Sequence, residues 1–91
     1  MKQVRVVISG QVQGVWFRGW TVGEAAARGL DGWVRNRRDG TVEAVFRGPP
    51  ETVDEMIDLC WDGPPVASVD AVEIFPDTDP IDPGFRQVKN A

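Results

Sequence analysis

The order in which two hydrophobic patterns follow one another constrains the fold of this chain more than any other feature. Apolar residues at every second position indicate strands, and apolar residues three and four positions apart indicate helices. Both patterns occur here, in the order strand, helix, strand, strand, helix, strand, with a short strand-like segment at the end. The strand segments are residues 3–9, 30–36, 41–47, 66–75 and 84–88, and the helix segments are residues 17–28 and 50–62.

This order predicts an α+β fold, the ferredoxin-like split β-α-β sandwich (βαββαβ). Two helices would cover one face of a mostly antiparallel sheet of four or five strands. A chain of 91 residues has room for one two-layer core, so residues 1–91 are predicted to form a single domain. The fold hosts enzymes, RNA-binding domains and regulatory modules, so it does not choose a function.

The two periodicities also predict which side chains form the core. Cys60 falls on the apolar stripe of the second helix and is interpreted as a small core residue rather than a nucleophile. The alternation slips between Val69 and Val72, which predicts a bend or bulge in that strand. The predicted core residues of the first strand and the two helices are Val4, Val6, Ile8, Val22, Ala25, Ala26, Leu30, Val53, Met56, Ile57, Cys60 and Trp61.

The composition excludes several kinds of catalysis. The chain has no histidine and a single cysteine, so it has no imidazole base, no Ser-His or Cys-His pair and no disulfide framework. A histidine-ligated metal and a cysteine-based zinc site are excluded for the same reason. Catalysis would have to depend on arginine, asparagine, carboxylates, main-chain amides or bound water.

The charge of the chain is unevenly spread. The net charge is −4, made up of +4 over residues 1–47 and −8 over residues 48–91. An acidic chain does not attract nucleic acid as a whole, but a small anion would be attracted to the first half. No apolar run approaches a membrane span, and Met1-Lys2-Gln3 leads directly into a strand. We therefore expect no membrane partner and a cytoplasmic location.

The segment SGQVQGVWFR, residues 9–18, leads from the first strand into the first helix. Its glycines permit positive φ and a close approach of the backbone. Amides at the start of a helix, together with Arg18, could form a cradle for an anion such as phosphate. The alternative is an ordinary strand–helix turn with a surface arginine, and spacing alone does not decide between them. The candidate amides are those of Gln13, Gly14, Val15, Trp16, Phe17 and Arg18.

A second candidate segment is GWVRN, residues 32–36, followed by the turn RRDG. Asn36 stands at the end of a strand, where asparagine commonly caps a turn. A functional role would require its side chain to reach the loop at residues 13–18. Spacing does not show whether it does.

Taken together, the two segments resemble a known family. GQVQGVWFR and GWVRNRRDGTVE resemble the two signature motifs of the acylphosphatases, in the same order and at about the same separation. Gly48-Pro49-Pro50, Gly63-Pro64-Pro65 and the terminal GFRQV, residues 84–88, agree as well, so the resemblance spans nearly the whole chain. Arg37 departs from it, because many relatives have a hydroxyl residue there, and Trp16 and Trp20 give the loop an unusual tryptophan content.

The resemblance implies hydrolysis of a small-molecule acyl phosphate to a carboxylate and inorganic phosphate, without a metal or other cofactor. By their positions in the motifs, Arg18 and the amides of residues 13–18 hold the phosphoryl group. Asn36 orients the water that attacks in line. We expect a monomer, because no heptad or long apolar surface stretch requires a partner chain.

Three alternatives remain from the sequence. One is a regulatory module that binds an anion without turning it over. Another is an RNA-binding domain that stacks bases on sheet aromatics; Phe46 and Trp33 lie on strands, but we interpret both as core residues. The third is an acylphosphatase-like module of a larger carbamoyl-transferring maturation protein.

Overall fold

The computed structural model describes all 91 residues and has the predicted order of elements, including the short closing strand. Neither helix has the length and apolar character that crossing a membrane would require. The elements are β1 (Lys2–Gln11), α1 (Phe17–Ala27), β2 (Asp31–Asn36), β3 (Val42–Gly48), α2 (Pro50–Asp62), β4 (Ser68–Pro76) and β5 (Phe85–Gln87).

The five strands form one mixed sheet in the order β4-β1-β3-β2-β5. All neighbouring strands are antiparallel except β2 and β5, which are parallel. Helix α1 packs on the β2–β5 side of the sheet and α2 on the β4–β1 side. This is the predicted ferredoxin-like arrangement. Because β3 runs antiparallel to both β1 and β2, these two strands run in the same direction. Their last residues therefore lie at the same end of the sheet.

One face of the sheet and one stripe of each helix form a cluster of sixteen buried apolar residues. The predicted alternation in β1 is confirmed, since Val4, Val6 and Ile8 all belong to this cluster. The prediction for α1 was partly wrong, because Ala26 is exposed and Val22 only half-buried. The buried stripe of α1 is Phe17, Thr21 and Ala25. Thr21 can be buried because its hydroxyl donates to the carbonyl of Phe17 at 2.8 Å.

Two tryptophans predicted to be core residues lie elsewhere. In α2, Val53, Met56, Ile57 and Cys60 are buried, but Trp61 is 49% exposed. At 3.6 residues per turn Trp61 lies about 80° around the helix from Val53, outside the buried stripe. Trp33 is half-buried on the other face of the sheet. Successive side chains of a strand point to opposite faces, and the next residue, Val34, is buried in the core.

The predicted irregularity in β4 is a bulge next to the loop that leaves β1. Ser9 pairs with Ala71 and Gly10 with Val69, so Asp70 has no partner in β1. Gly10 has φ of 121°, and a side chain there would overlap the carbonyl of Ser68. The bulge therefore requires glycine, and it bends the sheet where β1 gives way to residues 12–16.

The buried cysteine gives a test of the packing of α2. Cys60 is fully buried, and burial raises the pKa of its thiol to about 12. Because the thiolate is the reactive form, native protein at pH 8 should react with a disulfide reagent at least about a hundredfold more slowly than unfolded protein. Cys60 is the single cysteine, so the thiol count is unambiguous. Rapid stoichiometric labelling of the native protein would contradict the packing described here.

Candidate active site

The loop between β1 and α1 holds a run of main-chain amides that have no partner in the protein. The N–H groups from Gln13 to Gly19 donate to no backbone carbonyl, and the hydrogen bonds to side chains involve other donors. Gly14 has φ of 75° and Trp16 has φ of 66°. Left-handed residues within such a loop form the concave backbone arrangement that binds anions. All six amides predicted from the sequence lie in this run.

The loop, the start of α1 and the end of β2 line a cavity of about 120 Å³. Both Arg18 and Asn36 line it. The sheet explains why, because Asn36 pairs with Val42 and Val42 pairs with Ile8, near the point where β1 enters the loop. The residues that line the cavity are Val12, Gly14, Trp16, Phe17, Arg18, Gly19, Asn36 and Gln87.

Arg18 lacks an ion-pair partner, and the side-chain oxygen of Asn36 lacks a hydrogen-bond donor. No carboxylate forms an ion pair with Arg18, whereas most other arginines of the chain are paired. The side-chain oxygen of Asn36 is buried and accepts no hydrogen bond. A buried acceptor without a donor is unfavourable by about 1–3 kcal/mol, so such atoms commonly mark a binding function. The cavity is therefore lined by an uncompensated cation, by residues with free N–H donors and by Asn36.

Hydrogen bonds from one side chain tie the loop to the turn between β2 and β3. The amide nitrogen of Gln13 donates to the carbonyls of Arg37 at 2.8 Å and Thr41 at 2.9 Å. The Asp39 carboxylate stabilises the turn by accepting from the hydroxyl and the amide of Thr41. These bonds hold the pKa of Asp39 below its usual value, the hydroxyl bond contributing most. Gln13 was predicted for its main-chain amide, and nothing in its spacing indicated this side-chain role.

The two departures from the family motifs have different positions. The guanidinium of Arg37 lies 3.7 Å from the Asp39 carboxylate and lines a separate, open cavity with Arg38. Trp16 lines the cavity of Arg18 and Asn36. Trp20 does not, because it packs edge-on against Phe17 with ring centroids 5.3 Å apart. Only Trp16 can therefore alter the entrance.

Comparisons with known proteins agree with this geometry. A family model described as acylphosphatase matches residues 4–87. The chain belongs to the acylphosphatase family. The acylphosphatase of Rhodospirillum rubrum is 56% identical over 87 residues, which is 96% of each chain. The crystal structure of the acylphosphatase from Bacillus subtilis has a TM-score of 0.91 and 33% identity, covering 98% of this chain and 100% of that one.

The fold also matches part of a much longer protein. The crystal structure of full-length HypF, in its phosphate- and nucleotide-bound form, has a TM-score of 0.83 and 25% identity. That match covers 99% of this chain but 12% of HypF, whereas the match to the Rhodospirillum rubrum acylphosphatase covers nearly all of both proteins. The predicted family, fold and enzyme class are confirmed. The chain is an enzyme that hydrolyses acyl phosphates, the activity of this family.

The sequence did not indicate Asn90, which links the two residues predicted to act in catalysis. Its side-chain oxygen accepts from Arg18 Nη1 at 3.3 Å and from the main-chain N–H of Asn36 at 3.1 Å. The tail after β5, residues 88–91, is held beside β2 by two further hydrogen bonds. Val88 N donates to the carbonyl of Val34 and Ala91 N to that of Asn36, both at 3.0 Å. No local pattern could have identified Asn90, because it lies 54 positions from Asn36.

Replacing Asn90 tests whether this link positions Arg18. In Asn90→Ala, the guanidinium of Arg18 loses its protein acceptor, so inhibition by inorganic phosphate should weaken roughly threefold to tenfold, the effect of one hydrogen bond of about 1 kcal/mol. The measurement is the inhibition constant of phosphate, with the melting temperature as a check on folding. The matched control is Lys89→Ala in the same tail, which removes an exposed side chain. Equal inhibition constants for Asn90→Ala and wild type would show that the link is dispensable.

Proposed function

We propose that this acylphosphatase holds the phosphoryl group of its substrate with Arg18 and the amides of residues 13–18, while Asn36 orients the attacking water. The observation that supports this most directly is that Arg18 and Asn36, from distant stretches of the sequence, line one cavity beside main-chain amides that have no partner. A water molecule held by the carboxamide of Asn36 would have a lone pair free to attack phosphorus in line with the scissile bond.

Charge stabilisation in this mechanism comes from the chain itself. Arg18 presents its guanidinium without a competing carboxylate, and the neighbouring amides at the start of α1 add positive potential. Phosphoryl transfer depends mainly on positioning and on stabilising the charge of the equatorial oxygens. The guanidinium and the amides supply the positive charge that a metal ion would otherwise provide, and we propose that the reaction proceeds without one.

The chemistry of the substrate explains how the reaction can proceed without an acid–base group in the cavity. No carboxylic acid, thiol, imidazole or amine is among the side chains that line the cavity. As water oxygen bonds to phosphorus, the bond from phosphorus to the acyl oxygen breaks and its electron pair leaves with the carboxylate. The conjugate acid of that carboxylate has a pKa of about 4, so no general acid is needed. The proton of the attacking water passes to a phosphoryl oxygen, which gives inorganic phosphate.

Two substitutions separate holding the phosphoryl group from orienting the water. Arg18→Ala should lose both phosphate inhibition and turnover, because the guanidinium contacts substrate and transition state alike. Asn36→Ala should lower kcat by roughly a hundredfold, within the range for one positioned catalytic group, and change the inhibition constant of phosphate little. The measurements are kcat for benzoyl phosphate in the presence of EDTA and the inhibition constant of added inorganic phosphate in the same assay.

Arg38→Ala is the matched control for Arg18→Ala, because Arg38 is exposed and does not line this cavity. Two results would contradict the proposal. One is an Asn36→Ala enzyme that hydrolyses benzoyl phosphate at the wild-type rate. The other is wild-type turnover that EDTA abolishes and added Mg²⁺ restores.

We further propose that the enzyme acts as a cytoplasmic monomer on small acyl phosphates, without a nucleic acid or membrane partner. The net charge of −4 supports the absence of a nucleic acid partner, because phosphate backbones would be repelled. A sedimentation measurement at micromolar concentration tests the monomer, for which the expected mass is 10.0 kDa.

A further inference from the structure

Trp16 combines two unfavourable features in one residue. Its side chain is 72% exposed, although tryptophan is among the largest apolar side chains. Its backbone is left-handed, with φ of 66° and ψ of 26°, and no other residue except glycine has positive φ. Strained backbone of this kind persists where the surrounding structure enforces it, and it occurs most often at functional sites.

The indole ring of Trp16 lies against the first turn of α1, over Gly19. A methyl group added at Gly19 would overlap the ring, chiefly its Nε1, Cδ1 and Cε2 atoms. Gly19 lies in the first turn of α1, where alanine would favour the helix more than glycine does. The absence of a side chain at Gly19 therefore lets the indole lie against the helix backbone. An exposed tryptophan with no role would not require this.

The ring lies over Gly19, and both Trp16 and Gly19 are among the residues that line the cavity of Arg18 and Asn36. These two residues and the free amides offer only polar contacts, which suit the phosphoryl group. The acyl group is bonded to the phosphoryl group and must project from the same cavity. Because the indole lies against Gly19, a lining residue, and Trp16 is the most exposed tryptophan in the chain, the ring lies beside this cavity and is open to solvent.

We propose that the indole of Trp16 is a binding surface for the acyl group and that it selects acyl phosphates with a flat aromatic acyl group over those with a small one. This rests on the proposed function, because it takes the phosphoryl group to lie against Arg18. An aromatic acyl group stacks on an indole, whereas an acetyl group leaves most of the ring in water. Trp16 is therefore a specificity-determining residue, acting through its side chain while its amide belongs to the phosphate-binding loop.

The test is the ratio of kcat/KM for benzoyl phosphate to kcat/KM for acetyl phosphate. The ratio cancels any change in how the loop holds the phosphoryl group, since both substrates share that group. In Trp16→Ala the ratio should fall about tenfold. Gly19→Ala keeps the tryptophan but displaces its ring, so it should lower the ratio to a similar extent. The double variant should then show no further fall.

Trp61→Ala is the matched control, because Trp61 is 49% exposed on α2 and does not line this cavity. Its ratio should equal that of wild type. A second readout avoids turnover: phenylphosphonate should inhibit wild type more strongly than methylphosphonate does, and this difference should shrink in Trp16→Ala. An unchanged ratio in Trp16→Ala, with normal wild-type turnover and loss of turnover in Arg18→Ala, overturns this inference alone. Retained turnover in Arg18→Ala overturns the proposed function and this inference with it.

Discussion

The site depends on main-chain N–H groups that the fold leaves without acceptors. Residues 13–19 cannot pair as a strand, because β1 has ended, and they precede the first hydrogen bond of α1, which Trp20 donates to Trp16. Left-handed backbone at Gly14 and Trp16 curves this stretch. An anion is the natural partner for such a run of donors. The neighbouring Arg18, which no carboxylate neutralises, adds its charge to the same place.

In the proposed mechanism, the attacking water must be held at a fixed distance from the loop that binds the phosphoryl group. Gln13 provides that connection, since its side chain bonds two carbonyls that flank the turn after Asn36. Asn90 provides a second connection, through Arg18 and the backbone of Asn36. The guanidinium and the carboxamide thus come from distant stretches of sequence, but hydrogen bonds at both ends restrict their relative motion. The proposed mechanism has no general acid or base, and it requires positioning of this kind.

Periodicity was sufficient to predict the elements, their order and the bulge in β4, because each depends on local pattern or on a single glycine. It failed where tertiary placement decides burial. Trp61 and Ala26 lie outside the buried stripes of their helices, and only the position of each helix on the sheet determines that both are exposed. The motifs predicted Arg18 and Asn36, but the side-chain bonds of Gln13 and Asn90 join residues at least 24 positions apart. No local signal encodes such contacts.

Holding the phosphoryl group and choosing the acyl group place different demands on the same loop. A main-chain amide donates equally well whatever side chain its residue carries, provided that the backbone keeps its conformation. The side chain at position 16 is therefore free to vary in size and polarity without altering the donors, within the limit that its φ is positive. Gly19 relaxes a further limit, because it leaves room for a large ring over the helix. On this proposal, substrate preference can change through these two positions, while the groups proposed to act on phosphorus stay as they are.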